Sequence, residues 1–182
     1  MTATTHATTH PVYTVRAIDP VDLARLRDTD DAGRATKPYT DEEGGAPLRC
    51  CLRRSAVGEE IALVSYAPLT RWANEHGADP GPYLELGPVF IHADTCTGPA
   101  SDSYPADLHG LRVLRAYDAR GHILGGRLVD TRELGGAELD MMIEQELTAP
   151  EVELLHVRAV EFGCYFFELR RANTGTVSPA VQ

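Results

Sequence analysis

His156, Cys164 and Glu168 are the residue types of a base, a nucleophile and an orienting carboxylate, and strand alternation brings them to one sheet face. The segments 152–160 and 164–170 flank Glu161-Phe162-Gly163, a loop that suits a three-residue hairpin turn with Gly163 left-handed. That turn pairs Val160 with Cys164, Arg158 with Phe166 and His156 with Glu168. One face then carries Leu155, Val157, Ala159, Tyr165, Phe167 and Leu169, and the other His156, Arg158, Cys164, Phe166 and Glu168. A slip of one residue on one strand would set Glu168 beside Leu155, so the apolar pattern and the glycine agree on one register.

Two further chemistries can be drawn from the same face. Arg158, joined by Arg115, Arg127 and Tyr117 from a preceding hairpin, would hold a carboxylate or phosphate through forked guanidinium contacts. Arg49 and Tyr83 join this ligand-binding set, Tyr83 from a loop that would wall the pocket. His156 would then move a proton near neutral pH. The alternative is a solvated face whose arginines pair with Glu168 and Glu85. A metal set of His92, His156 and Glu85 has the two-histidine, one-carboxylate composition suited to zinc or non-haem iron, although its spacing matches no known signature. The cysteines, Cys50, Cys51, Cys96 and Cys164, form no C-x-x-C pair, so neither a zinc ribbon nor a thioredoxin-like site is expected, and free thiols are.

The elements that must position these groups follow from periodicity and punctuation. A short strand from Val12 to Ile18 precedes a helix start at Asp19-Pro20, with Asp19 as N-cap. An acidic loop spans Asp28 to Pro47. Strands are expected at 61–66, 88–92, 111–117, 123–129, 152–160 and 164–170, with long connections at 68–82 and 93–108. Leu134, Leu139, Met142, Ile143 and Leu147 recur at helical spacing and define the main helix. Residues 1–11 read as a disordered tail, 12–46 as an N-terminal strand, short helix and acidic loop, 47–171 as one core domain and 172–182 as a C-terminal tail. The expected fold is α+β: a mostly antiparallel sheet, one main helix packed on one face, and long loops.

Composition narrows the classes. A net charge of −10 over 182 residues argues against nucleic acid and against anionic membranes. No apolar run approaches the roughly 18 residues of a membrane span, and the Thr-rich start has no secretory pattern, so a cytoplasmic protein is expected. Phosphate-cradling glycine loops, H-E-x-x-H and G-x-S-x-G are absent, and no cofactor is indicated.

Several stretches carry a family likeness: Pro47-Leu48-Arg49 with Leu52, Gly58-Glu59, Gly81-Pro82-Tyr83, Gly87 to His92, Arg115-Ala116-Tyr117-Asp118, and His156-Val157-Arg158 before Gly163-Cys164. In order and spacing they resemble the bacterial family catalogued as domain of unknown function 1203, over about Pro47 to Arg171. The resemblance implies a small bacterial protein and supplies no activity or catalytic residue. The residues themselves point to a site for an anionic small molecule on an open sheet face. The rival expectation is a surface that docks an acidic protein partner.

Overall fold

The computed structural model describes residues 12–172, so the tails expected at 1–11 and, but for Ala172, at 172–182 lie outside the described residues. The described residues form two antiparallel sheets and three α-helices. One sheet has five strands in the order β1-β8-β7-β5-β6, built from β1 (Tyr13–Arg16), β5 (Leu111–Tyr117), β6 (Ile123–Asp130), β7 (Leu154–Ala159) and β8 (Tyr165–Arg171). The other has three, β2-β3-β4, from β2 (Tyr39–Asp41), β3 (Glu59–Tyr66) and β4 (Gly87–His92). β1 belongs to the larger sheet and β2 to the smaller, so residues 12–46 contribute a strand to each.

Helix α3 (Gly136–Thr148) is the main helix, and it buries Leu139, Met142, Ile143 and Leu147 as its spacing requires. These pack with Leu114, Leu155, Val157, Phe167 and Leu169 in the largest apolar cluster. Helix α1 (Pro20–Asp28) starts as expected: the Asp19 carboxylate accepts from the Val21 amide at 2.8 Å, with Pro20 at the first helical position. Among the described residues no helix is long and apolar enough to cross a membrane.

The segment 68–82, expected to be a loop, instead holds α2 (Pro68–His76). Its start and stop were written in Pro68 at the first turn and Gly77, left-handed at φ 64°. Helix α2 corrects a second expectation. The face of the five-stranded sheet opposite α3 is not open, because Leu69, Trp72 and Ala73 of α2 pack onto Tyr117 and Leu154. Tyr66, at the end of β3, meets Tyr165 with ring centres 5.6 Å apart. All six residues of β7 are consequently buried, His156 and Arg158 included.

Two bulges alter the expected faces. His156 does oppose Glu168, but the register shifts between Val157 and Arg158, so Arg158 opposes Tyr165 rather than Phe166. Tyr165 and Phe166 thereby exchange surroundings: Phe166 joins the α3 cluster and Tyr165 the opposite one. A second shift between Ala116 and Tyr117 pairs Leu114 with Arg127. Arg127 therefore shares the side of Leu114, and its guanidinium meets Glu146 of α3 at 2.9 Å.

The β5–β6 turn locks α2 in place. Gly121 has φ +80°, and a Cβ there would sit 2.8 Å from Pro80 Cγ and 3.1 Å from Trp72 Cζ3. Gly121→Ala combines a disfavoured backbone with overpacking against two stiff rings, and should cost about 2 kcal/mol in urea unfolding. A loss below roughly 0.5 kcal/mol would show that the turn yields freely.

Candidate functional site

Strand pairing lines up a polar row across the covered face. Arg115 opposes His156, His156 opposes Glu168, and Glu168 opposes Arg16. His156 is completely buried between the rings of Tyr117 and Tyr165, 4.7 and 5.0 Å away. Its Nε2 lies 3.7 Å from Glu168, and neither ring nitrogen has a hydrogen bond among the described residues. Burial pushes the imidazole below its ordinary 6.5, with Glu168 opposing that shift only in part. Burial acts to raise the Glu168 carboxyl, but His156 and the Arg170 guanidinium bonded to it hold it below its ordinary 4.5.

The predicted arginines are mostly committed to internal partners. Arg158 donates from Nε and Nη2 to the Gly163 carbonyl at 2.9 and 2.6 Å, and pairs with Glu85. Arg115 reaches the same Glu85 carboxylate at 3.2 Å. Arg49 is buried under the β8 backbone: its Nε donates to the Tyr165 carbonyl at 2.8 Å and its guanidinium lies over Phe166. Burial lowers the Arg49 pKa to about 10. Arg127 faces α3, and Tyr83 sits half-exposed in a 3-10 turn beside His122. Cys164 lies in the β7–β8 turn, its thiol donating to the Phe162 carbonyl at 3.6 Å. His92 is on the smaller sheet, His156 in the larger and Glu85 between the two arginines, so the predicted metal set is not assembled.

What the fold does open is a cleft of about 330 Å3 at the far end of the row. Arg16, Asp22, Arg25, Tyr66, Arg71, Trp72, Tyr165, Glu168 and Arg170 face it from β1, α1, β3, α2 and β8. Glu168, a predicted site residue, is thus at the cleft, with His156 behind it. The other lining residues lie outside the site set expected from sequence: Arg71 and Trp72 come from α2, expected as a loop, Asp22 and Arg25 from α1, and Arg16, Tyr66, Tyr165 and Arg170 from β1, β3 and β8.

The second unanticipated constellation brings Cys50, Cys51, His92 and Cys96 together, with their ligand atoms all within 4.8 Å of one another. Of these four, only His92 belongs to the metal set expected from sequence. The available signal was His92-x-x-x-Cys96, a spacing that metal sites use, together with the neighbouring Cys50-Cys51 pair.

Fold and sites together define an α+β protein in which a polar row, sealed between sheet and helix, runs out into a small cleft. The chain belongs to the family described as Protein of unknown function (DUF1203), whose family model matches residues 45–171. No curated protein and no solved structure matches it.

The buried pair makes stability depend on pH in a definite direction. His156 and Glu168 both titrate lower in the folded chain than at their ordinary values of 6.5 and 4.5. The unfolded chain therefore takes up protons first, and stability present above about pH 6.5 is lost progressively as pH falls. Unfolding free energy measured from pH 8 to pH 4 should decline from about pH 6.5 downward, and His156→Phe should remove the upper part of that decline. An identical profile in the variant would show that His156 carries none of it.

Proposed function

We propose that this protein binds a small anionic molecule, a carboxylate or phosphate ester, in the cleft between α1, α2 and β8. The observation that carries this reading is an imbalance of hydrogen-bonding groups. The Trp72 indole N–H and the Arg71 Nε are buried without an acceptor among the described residues. Arg16 and Arg25 are substantially exposed and are held only loosely, at 4.0 Å from Glu168 and 3.6 Å from Asp22.

Three of the cleft's four carboxylates are already engaged, while Glu75, 56% exposed, meets Arg170 at 3.4 Å. Glu168 is bonded to Arg170, Asp22 to Arg71, and Asp19 caps α1. Spare donors beside spent acceptors call for a ligand that brings its own oxygens. A volume of about 330 Å3 suits a metabolite-sized molecule. Tyr66, Tyr165 and Trp72 supply apolar ring surface beside the donors.

Concavity also favours a small ligand over an acidic protein partner, since the Arg158 and Arg115 surface that would dock such a partner is turned inward. The proposal is one of binding. His156 has no exposed atom, so a proton could pass between it and a ligand only by way of Glu168. Cysteines that form no disulfide at any of the four positions accord with a reducing compartment such as the cytoplasm.

Thermal-shift measurements against a panel of small carboxylates and phosphate esters test the reading. A ligand at about 100 times its Kd should add roughly 2.7 kcal/mol of stability. Arg16→Ala and Arg25→Ala should each reduce that gain, because each removes an exposed guanidinium from the cleft. A panel without effect, or a shift left intact in both variants, would refute the site.

A further inference from the structure

We propose that Cys50, Cys51, His92 and Cys96 form a tetrahedral zinc(II) site, a second site independent of the cleft. Three thiolates and one imidazole are a complete coordination set for zinc, with soft sulfur ligands that also exclude calcium and magnesium. Zn–S bonds of about 2.3 Å and Zn–N bonds of about 2.0–2.1 Å, set tetrahedrally, place sulfurs roughly 3.8 Å apart and nitrogen roughly 3.6 Å from sulfur. In the structure Cys50 Sγ and Cys51 Sγ are 4.0 Å apart, and His92 Nδ1 lies 3.3 and 3.7 Å from them. These three ligand atoms already stand near the spacing that a bound ion imposes, and Cys96 Sγ lies within 4.8 Å of each.

The local backbone explains how adjacent cysteines can share one ion. In a strand Cys50 and Cys51 would point to opposite sides. Here they lie in a turn closed by the Leu52 amide donating to the Leu48 carbonyl at 3.0 Å. Leu52 itself has φ 58°, the one positive value at a non-glycine residue among the described residues. Left-handed backbone at a buried leucine is costly, and such outliers gather where a site demands them. The His92 amide also donates to Cys50 Sγ at 3.3 Å, a contact that would help to stabilise a thiolate.

A second layer of contacts supports the assignment. Metal-bound histidines commonly donate their other ring N–H to a carboxylate. With an ion on Nδ1, the proton of His92 resides on Nε2, which lies 3.6 Å from Glu59 Oε2. Arg53 holds Glu59 through paired contacts of 2.9 and 2.6 Å; its Nη2, a donor 3.0 Å from His92 Nε2, would have to turn aside for Glu59 to accept the Nε2 proton once an ion sits on Nδ1. Binding displaces three thiol protons, so zinc(II) with three thiolates and a neutral imidazole carries one negative charge. Arg53 is placed to balance that charge.

With four protein ligands the coordination shell is full, which makes this a structural site. It would join the 47–54 turn, the end of β4 and the 93–105 loop, three segments linked by little regular structure. A groove of about 380 Å3, lined by Cys51, Arg53, His92 and Cys96, gives the ion a way in.

The test uses the full chain, purified under reducing conditions, with cobalt(II) as a spectroscopic probe and zinc(II) as competitor. One equivalent of cobalt should produce thiolate-to-metal charge transfer and the strong visible bands of tetrahedral cobalt, both abolished by zinc. Cys96→Ser removes a partly exposed ligand and spares the buried pair, and should weaken affinity at least 100-fold. Glu59→Gln should weaken it by roughly 10- to 100-fold with the cobalt spectrum retained. Absence of the charge-transfer band at one equivalent in the unaltered protein would overturn the site. Unchanged affinity and band intensity in Cys96→Ser would overturn the four-ligand assignment.

Discussion

Burying Glu168 beside His156 in the five-stranded sheet is the constraint around which the rest of the protein is arranged. A carboxylate at this depth is tolerable only if its charge is answered locally. Arg170 answers it directly and Arg16 from the neighbouring strand, while His156 stays neutral between two tyrosine rings. A parallel arrangement holds at the other end of β7, where Glu85 sits between Arg158 and Arg115. Each ionic cluster needs one partner from outside its own strand pair. The segments that supply and cover them, α2, Tyr66 and the Glu85 loop, are therefore fixed against this face.

That constraint also explains why the face differs from expectation. Alternation along 154–159 and 165–171 correctly paired His156 with Glu168, because apolar and polar residues separate cleanly there and Gly163 sets the turn. An Arg, His and Glu face then reads most simply as open to water. The feature that closes it, α2, has only two strong punctuation marks, Pro68 and Gly77, around a short run containing Trp72. Leu69, Trp72 and Ala73 do fall at helical spacing, but over only nine residues, and the helix takes its stability from packing onto Tyr117 and Leu154.

The bulges were hidden for a different reason. One extra residue on β8, Phe166 opposite the Val157–Arg158 step, and one irregularity at Ala116/Tyr117 leave composition untouched, yet they reverse the facing of Tyr165, Phe166 and Arg127. Both orientations of Phe166 and Tyr165 bury an aromatic ring, so hydrophobic pattern alone cannot choose between them. What decides is the pair of guanidiniums, Arg49 and Arg112, that stack on Phe166 at 4.6 and 4.5 Å. Arg49 lies more than a hundred residues away in sequence. The long helix was easier: its apolar stripe repeats over three turns, and α3 lies where that stripe requires.

The cysteine–histidine set shows the same limit from the other side. Its members come from two segments about forty residues apart, and a turn rather than a strand gathers the adjacent pair. Sequence spacing within each half is suggestive, but it takes the parallel bridge between Leu48 and Phe90, with the His92 amide on Cys50 Sγ, to bring the halves together. That bridge has a second consequence. Through the Arg49 amide and the Phe90 carbonyl, 2.8 Å apart, it fixes the same turn whose Arg49 side chain grips the β8 backbone at Tyr165. Tyr165 lines the cleft. One short turn thus joins the thiol cluster to the wall of the proposed ligand site, and whatever stiffens that turn also stiffens the position of Tyr165.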